Sequence, residues 1–425
     1  MSTKQVFMTS EVSTLIDKYT KTRKETMNLV RPLEIEDFVI QSHEDVSPPK
    51  WHLAHTTWFF EQMILTAYKR EYKVFSKNYH RLFNSYYESL GTPFPKPQRG
   101  LLSRPTVQEI VKYRNYVDRA IIEMLTTEEI LPDKIKELMI IGINHEQQHQ
   151  ELLVTDIKYN YSIHPLEYPY LQEETQKRPA SILPPIKWHS FEEGISEIGT
   201  NNKDFSFDNE RPVHKHWQHA FSIASRPVSN KEFMEFIEDR GYERPELWLA
   251  EGWDLVRTND WKAPLYWRKE EGLWRTYTVR GVESVNPSEP VAHISYFEAD
   301  AYARWAGYRL PTEQEWEWAF RNNDYEGNFL ESGLLHPSSF GEKESGKEFG
   351  DVWEWTRSPY TQYPKSSPLE GALGEYNAKF MSNKMVLRGG SCATPASHIR
   401  LTYRNFFPPE KRWQFSGFRL AKDGQ

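Results

Sequence analysis

Apolar and polar positions alternate with helical spacing through the first 170 residues. Segments 10–30, 106–125 and 132–159 repeat apolar residues every three or four positions, and a similar segment follows Ser47-Pro48-Pro49. Residues Thr9-Ser10 offer N-cap oxygens at the start of the first segment, and proline suits the first turn of the second. Four amphipathic helices in succession predict a helical bundle.

The pattern changes in the second half of the chain. Short β-like runs, many turn signals and two short helical stretches, 230–238 and 296–306, are typical of an α+β domain. Residues 172–185 are polar and proline-rich, as in a linker. We therefore expect a multidomain protein with an α domain at 1–171, a linker at 172–185 and an α+β domain at 186–425.

Composition narrows the possible partners and the cellular compartment. The formal net charge is -7 and no long basic run occurs, which argues against nucleic acid as the main partner. No apolar run approaches the roughly 20 residues of a membrane span, and the first residues do not resemble a secretory signal. The single cysteine, Cys392, excludes an internal disulfide and fits a reducing cytoplasm.

A long segment between the second and third helices, residues 69–105, is rich in aromatic residues and arginine. Segments of this length inside a compact domain are usually functional or disordered, and the aromatic content disfavours disorder. We interpret residues 69–105 as a lid or substrate loop.

Three histidines are candidates for a metal site. His145 and His149 lie four residues apart in the fourth helix, so both face the same side of it. His55 occupies an equally apolar stripe on the second helix, where His52 points more to the side. Such histidines can also be hydrogen-bonded members of a core, but their presence on two inward-facing stripes favours a shared ion.

Residues 145–149 also match the His-Glu-x-x-His pattern of zinc peptidases, in which Glu146 would be the general base. A peptidase needs a cleft for an extended peptide and a third ligand downstream, and neither is evident. In a bundle, Glu146 would be a surface residue or a support behind the ligands. Three neutral imidazoles suit zinc, copper or iron alike.

Seven motifs in order along nearly the whole chain resemble one known family, the EgtB sulfoxide synthases of ergothioneine biosynthesis. These enzymes join a DinB-like four-helix bundle to a domain similar to formylglycine-generating enzyme, a relative of C-type lectin-like folds. The motifs are residues 51–58, 145–151, 290–307, 309–317, 350–356, 388–391 and 412–421.

The resemblance implies iron(II) held by His55, His145 and His149. It also implies oxidative C–S bond formation between hercynine and a cysteine-type thiol, with O₂ giving a sulfoxide. Tyr86 and Tyr87 resemble the paired tyrosines of the subtype that uses free cysteine. One of them would donate a proton or hydrogen atom during oxygen reduction.

The γ-glutamylcysteine subtype grips its donor with an Asn-Trp-Asp segment, whereas this chain has Asn405-Phe406-Phe407. The missing acidic residue favours cysteine as the donor and leaves the residue that binds the cysteine amine unassigned. Candidate substrate-binding residues from the resemblance and from general chemistry are Gln148, Arg104 and Arg81 for polar groups, Phe406 and Trp413 for the trimethylammonium group, and Asn405.

Other interpretations stay open at this point. The same chemistry with γ-glutamylcysteine or a selenium sugar as donor is the nearest alternative, followed by the zinc peptidase and a lectin-like binding module without catalysis. His214 and His216 fall on one face of a predicted strand and are expected to be structural. Asp351 stands where formylglycine-generating enzymes often have asparagine near calcium, so a structural calcium ion in the C-terminal domain is a further expectation.

Overall fold

The computed structural model describes residues 10–127, 131–172, 183–341 and 348–424. The chain divides into two compact units, Met1–Ile163 and His164–Gln425. Residues 164–171 were predicted to belong to the bundle but fall in the second of these units. There the Leu171 amide donates to the Val279 carbonyl at 2.9 Å. Most of the predicted linker lies outside the described residues, so the predicted domain limits stay predictions.

The first unit is a bundle of four long helices, as predicted. Each predicted helix is present within a few residues of its expected limits, and none of the described helices is both long and apolar enough to cross a membrane. The helices are α1 Ser10–Val30, α2 Pro49–Phe60, the short α3 Tyr79–Phe83, α4 Val107–Thr127 and α5 Asp133–Ser162.

Helix α2 is the most deeply placed element of the bundle. It packs against α4 and α5, and every residue of Pro49–Phe60 is buried. Buried polar side chains require hydrogen-bonding partners, so the histidines and threonines of α2 must find them inside the bundle. Helix α5 is likewise buried on most sides along its central turns, where it contacts α1 and α2.

The long segment 69–105 is ordered and tied to the end of α2. Helix α2 continues into a π-helical turn that begins at Glu61. The Glu61 carboxylate accepts hydrogen bonds from the hydroxyl groups of Tyr72 and Tyr113, both at 2.7 Å, and from the Phe75 amide at 3.0 Å. These bonds fix the start of the segment against α2, and π-helical turns are frequent beside functional sites.

The described part of the second unit contains four α-helices, of which three begin with a capping box. Ser229, Ser295 and Thr312 each accept the amide of the glutamate three residues later, and that glutamate bonds the cap residue in return. The sequence pattern predicted the helices near 230–238 and 296–306 and missed those at 250–258 and 313–320. The four helices are α6 Asn230–Glu238, α7 Ala250–Thr258, α8 Tyr296–Trp305 and α9 Glu313–Phe320.

Short strands form several small sheets around these helices. The largest sheet has the order β12-β11-β10-β13, and the others are β1-β4-β14, β5-β6-β7, β2-β3 and β8-β9. The strands are β1 Trp188–Phe191, β2 Gly194–Ile198, β3 His214–Gln218, β4 Phe221–Ala224, β5 Trp267–Glu270, β6 Leu273–Thr278, β7 Gly281–Ser284, β8 Gly327–Asn328, β9 Phe349–Gly350, β10 Trp353–Pro359, β11 Met385–Arg388, β12 Asn405–Phe407, β13 Ser416–Gly417 and β14 Ala421–Asp423.

Buried ion pairs join the sheets and helices of the second unit. Arg404 on the stretch before β12 bonds both oxygens of Glu313 at 2.8 and 2.9 Å. Arg419 bonds Glu354 of β10 at 2.6 and 2.7 Å. The mixture of short strands, short helices and turn-rich connections confirms the predicted α+β class of this half.

Candidate metal centre

Three histidine side chains converge inside the first unit. His55 comes from α2, and His145 and His149 come from successive turns of α5; each offers one ring nitrogen within 4.8 Å of the other two. The Nε2 atoms of His55 and His145 are 3.1 Å apart. Within the described ranges, no other group of three or more histidine, cysteine or carboxylate side chains is placed to hold an ion. The structure therefore brings together the three residues that the sequence singled out.

Burial keeps these imidazoles neutral. It lowers the pKa of His145 from its ordinary value of 6.5 to about 3, and it also holds the pKa values of His55 and His149 well below the ordinary value. The neighbouring imidazoles and Arg99 depress the pKa values of His55 and His149 further. Neutral rings keep a lone pair available, which is the form that a metal ion requires.

The ring nitrogens of the first pair are close enough to share one ion. The Nδ1 atom of His55 lies 2.6 Å from the Phe83 carbonyl, which can only accept, so the Nε2 lone pair of His55 faces His145. Two nitrogens about 2.1 Å from one ion stand roughly 3.0 to 3.4 Å apart. The 3.1 Å between the Nε2 atoms of His55 and His145 lies within this range. Three ligands on one side of such an ion leave positions open for other molecules.

Aromatic side chains hold His55 in place. The Trp51 ring stacks on the His55 imidazole with the centroids 4.5 Å apart and an angle of 13° between the planes. The Trp58 ring is nearly parallel to the same imidazole at 5.7 Å. These rings limit rotation of His55, and their burial keeps water away from this side of the cluster.

Arg99 is a functional candidate that the sequence analysis placed in the substrate loop without assigning it a role. Its guanidinium carbon lies 3.3 Å from the centroid of the Trp51 ring, on the residue that stacks against His55. It donates one hydrogen bond, to Ser47 Oγ at 2.9 Å, and its Nε has no partner among the described residues. Burial lowers the pKa of Arg99 to about 9. Among the described residues no carboxylate contacts this buried cation beside the histidine cluster, although the nearby Asp156 raises its pKa against the effect of burial.

His52 is the second residue whose importance the sequence did not reveal. It was expected to point to the side, yet it is only 2% exposed. Its Nδ1 lies 2.9 Å from Nδ1 of His149, and its Nε2 lies 3.1 Å from Oδ2 of Asp156. The sequence offered one signal for this arrangement. Asp156 follows His149 by seven residues, or about two helical turns, so both side chains lie on the same face of α5.

Glu146 does not lie at the surface, and it is not placed to act as a general base. It is fully buried and accepts hydrogen bonds from Arg23 and Arg114, both at 2.9 Å, and from Thr26 at 2.7 Å. The two arginines lower the pKa of Glu146 to about 2 against the opposing effect of burial. A carboxylate fixed in this way cannot activate water for peptide hydrolysis, so the geometry disfavours the zinc peptidase.

The paired tyrosines lie in a turn close to His55 in the fold. The Tyr87 ring is fully buried, stacks on the Tyr86 ring at 4.6 Å and lies 5.7 Å from the Trp58 ring. Asn84 fixes the turn, because its side chain accepts the Tyr87 amide at 3.0 Å and donates to the Tyr87 carbonyl at 2.9 Å. The preceding residue, Phe83, supplies the carbonyl that holds His55.

The polar substrate candidates of the first unit have different surroundings. Gln148 lies on α5 immediately before His149 and is half-buried. Arg81 on α3 and Arg104 at the end of the loop are both exposed, and Arg104 donates to the neighbouring Ser103 carbonyl at 3.0 Å. Their roles in substrate binding stay predictions.

The candidates of the second unit belong to β12 and the segment after it. Phe406 stacks on Tyr360 with the ring centroids 4.0 Å apart, and Asn405 accepts the Phe406 amide at 2.9 Å. Trp413 is mostly buried and meets the Phe407 ring edge-on at 5.5 Å. These contacts describe a packed aromatic region, and its role in substrate binding stays a prediction.

Asp351, the residue behind the calcium expectation, is bonded to protein donors. Its Oδ1 accepts from Asn328 Nδ2 at 2.8 Å, from the Ser338 amide at 2.6 Å and from the Ser338 hydroxyl at 3.0 Å. These contacts occupy one oxygen of Asp351, and calcium binding in this domain stays a prediction.

Two protein-family models match the chain, one in each half. The DinB superfamily matches residues 18–153, and the sulfatase-modifying factor enzyme 1-like domain matches residues 187–424. Among solved structures, PvdO from Pseudomonas aeruginosa aligns with 56% of this chain and 94% of its own, at 17% identity and a TM-score of 0.38.

Two mycobacterial proteins named hercynine oxygenase are similar in sequence to this chain. The hercynine oxygenase of Mycolicibacterium smegmatis is 30% identical over 96% of this chain and 99% of its own length. The hercynine oxygenase of Mycobacterium tuberculosis is 38% identical over 51% of this chain, and the match spans 56% of that protein. The chain therefore belongs to the hercynine oxygenase family and joins a DinB superfamily domain to a sulfatase-modifying factor enzyme 1-like domain.

Proposed function

We propose that this protein is a hercynylcysteine S-oxide synthase that joins hercynine to L-cysteine with iron(II) and O₂. An imidazole C–H bond and a thiol S–H bond are broken and a C–S bond forms. One oxygen atom enters the sulfoxide and the other leaves as water with the two hydrogens. The observation that carries the proposal is the trio of neutral imidazoles in a member of the hercynine oxygenase family.

His55, His145 and His149 are the residues that would hold the iron. They contain no carboxylate, so the ion keeps its full positive charge and attracts anionic ligands such as a thiolate. When bound, iron(II) supplies a redox-active Lewis acid with positions for both substrates and O₂. The rigid helices then determine how closely the thiol sulfur and the hercynine ring approach one another.

Arg99 is our candidate for binding a substrate carboxylate. Hercynine and cysteine both carry one, and a buried guanidinium with an unsatisfied Nε gains most from a charged acceptor. Its position on Trp51, next to His55, supports this role. Arg81 and Arg104 are exposed and would bind a carboxylate in competition with water.

Tyr86 and Tyr87 are proposed as the source of a proton or hydrogen atom during oxygen reduction. Such a donor would steer the sulfur toward C–S coupling and away from oxidation of the thiol alone. The rigid turn formed with Asn84 and the bond from His55 to Phe83 support a fixed position for the pair.

Cysteine is the proposed donor because residues 405–407 lack the acidic residue that would bind the amine of a glutamyl group. Phe406 and Trp413 are proposed to bind the trimethylammonium group of hercynine through cation–π contact, with Asn405 and Gln148 as polar contacts. The single buried cysteine, Cys392, fits the reducing cytoplasm in which we place the enzyme.

The direct test is aerobic incubation of iron-loaded protein with hercynine and, separately, cysteine, γ-glutamylcysteine and a selenium sugar. Mass spectrometry should find a sulfoxide adduct with cysteine as the preferred donor. A preferred γ-glutamyl or selenium adduct would contradict the donor assignment, and the absence of every adduct would contradict the proposed reaction.

Single replacements Tyr86→Phe and Tyr87→Phe test the tyrosine pair. We expect at least one of them to shift the product from the hercynine sulfoxide toward cysteine sulfinate. Tyr72→Phe, which removes a structural hydroxyl bonded to Glu61, is the matched control. Unchanged partitioning in both variants would remove the tyrosines from the mechanism.

A further inference from the structure

We infer that Asp156 and His52 are positioning residues that fix the tautomer and orientation of His149, so that its Nε2 lone pair faces the ion. This inference rests on the proposed metal binding and adds two residues behind one ligand. The contacts run in a line from Asp156 Oδ2 to His52 Nε2 at 3.1 Å, and from His52 Nδ1 to His149 Nδ1 at 2.9 Å.

The direction of each hydrogen bond follows from the carboxylate. Ionised Asp156 can only accept, so a neutral His52 ring carries its proton on Nε2. The Nδ1 atom of His52 is then an acceptor, and the hydrogen bond to His149 requires a proton on His149 Nδ1. A neutral His149 protonated at Nδ1 has its lone pair on Nε2, the nitrogen left for a metal ion.

Asp156 is itself held in place from the start of α2. Its Oδ2 accepts the Ser47 amide at 2.8 Å, and Ser47 Oγ accepts from Arg99 at 2.9 Å. Asp156, His52 and Ser47 are each only 2% exposed, so water does not compete for these bonds. The arrangement connects the helix that carries His55 to the helix that carries His149.

His55 is oriented in a different way from His149. The Nδ1 atom of His55 is held by a main-chain carbonyl, that of Phe83, which substitution cannot remove. His149 depends on two side chains, so its support can be tested by mutation. Partners that orient a metal-bound histidine are typically worth about 10- to 100-fold in metal affinity.

The experiment measures the dissociation constant of the full chain for Zn²⁺, a redox-inert probe ion, by competition with a chelator. Asp156→Leu and His52→Leu are expected to weaken binding about 10- to 100-fold, because leucine offers no hydrogen-bond acceptor or donor in either position. Asn160→Ala is the matched control, because Asn160 lies one turn further along α5, is buried and bonds Ser42. We expect this control to bind zinc as the wild type does, with any loss confined to thermal stability of the metal-free protein.

His52→Asn separates positioning from ligation. The asparagine oxygen can replace the acceptor near Nδ1 of His149, so we expect this variant to bind more tightly than His52→Leu. Zinc binding by Asp156→Leu equal to that of Asn160→Ala would overturn the inference and leave the proposed function intact. Failure of the wild type to bind zinc would overturn the metal site and the proposed function with it.

A measurement on the unaltered protein protects the test against misfolded variants. Nitrogen-15 spectra of the zinc-loaded protein, with histidine labelled in the ring, report which nitrogen of each ring carries a proton. The inference predicts a proton on Nδ1 of His149 and on Nε2 of His52. A proton on Nδ1 of His52, or a metal-bound Nδ1 in His149, would contradict it.

Discussion

Residues 145–149 lie on two adjacent faces of helix α5, and the buried polar side chains on the two faces have opposite surroundings. On one face, His145 and His149 are neutral and direct ring nitrogens toward His55. On the adjacent face, Glu146 is charged, and its oxygens accept from Arg23, Arg114 and Thr26. Converging ring nitrogens of neutral imidazoles could hold an ion, whereas a fully bonded carboxylate holds helices together. The same five residues thus carry the proposed ion-binding face on one side and a stabilising ion-pair network on the other.

Buried arginines repeat this contrast. Arg23 bonds Glu146 and Asp118, and these carboxylates raise its pKa. Arg99 bonds a single hydroxyl, and burial lowers its pKa to about 9. A buried cation without a carboxylate is costly for folding. Its position beside the histidine cluster, rather than in the α1–α5 interface, is the observation behind the proposed binding of a substrate carboxylate.

The largest expected effect comes from Glu146→Gln, which leaves Arg23 and Arg114 without their buried anion. We expect the free energy of unfolding, measured with urea, to fall by about 3–5 kcal/mol. Glu137→Gln, at an exposed ion pair with Lys134 on the same helix, should change it by less than about 1 kcal/mol. Unchanged stability combined with lost activity in Glu146→Gln would mean that Glu146 takes part in the chemistry.

Replacing Arg99 by glutamine is expected to raise the KM for one substrate roughly 10- to 100-fold, the value of a hydrogen bond to a charged group. The substrate whose KM rises identifies the carboxylate that Arg99 binds. Arg119→Gln, at an exposed position on α4, should leave both KM values within about twofold. Equal effects of the two replacements would contradict a special role for Arg99.

We expect the free energy of unfolding of the metal-free protein to fall in acid, because His145 stays neutral in the folded state. Unfolded His145 binds a proton below about pH 6.5, while the folded residue stays neutral until about pH 3, so unfolding takes up a proton between these values. Stability therefore falls as pH falls, by about 2 kcal/mol between pH 6.5 and pH 5 for His145 alone. Urea titrations should show a shallower dependence in His145→Gln, and an identical slope would contradict the neutral imidazole.

Periodicity accounts for what could be predicted from the sequence. Helices α1, α2, α4 and α5 repeat their apolar residues regularly, and His145 and His149 share a face by spacing alone. The residues that reach the histidines from other parts of the chain could not be predicted in this way. His52 and Asp156 are 104 residues apart and Arg99 lies in an irregular loop, so only tertiary structure brings them to the cluster.

Glu146 shows the limit most clearly. Its position inside His-Glu-x-x-His suggests a catalytic base, but its neighbours in space decide its role. Arg23 lies 123 residues away and Arg114 lies 32 residues away, and nothing in the local pattern indicates that either reaches it. Local motifs give the direction of a side chain on its own helix, and packing gives its partner.

X-ray absorption at the iron edge of the iron(II)-loaded protein tests the central claim most directly. We predict one iron ion per chain bound by three imidazole nitrogens, with one imidazole fewer in His149→Gln and an unchanged spectrum in folded Glu146→Gln. A carboxylate ligand lost in Glu146→Gln, or an imidazole count unaffected by His149→Gln, would contradict the division of α5 into a binding face and a stabilising face.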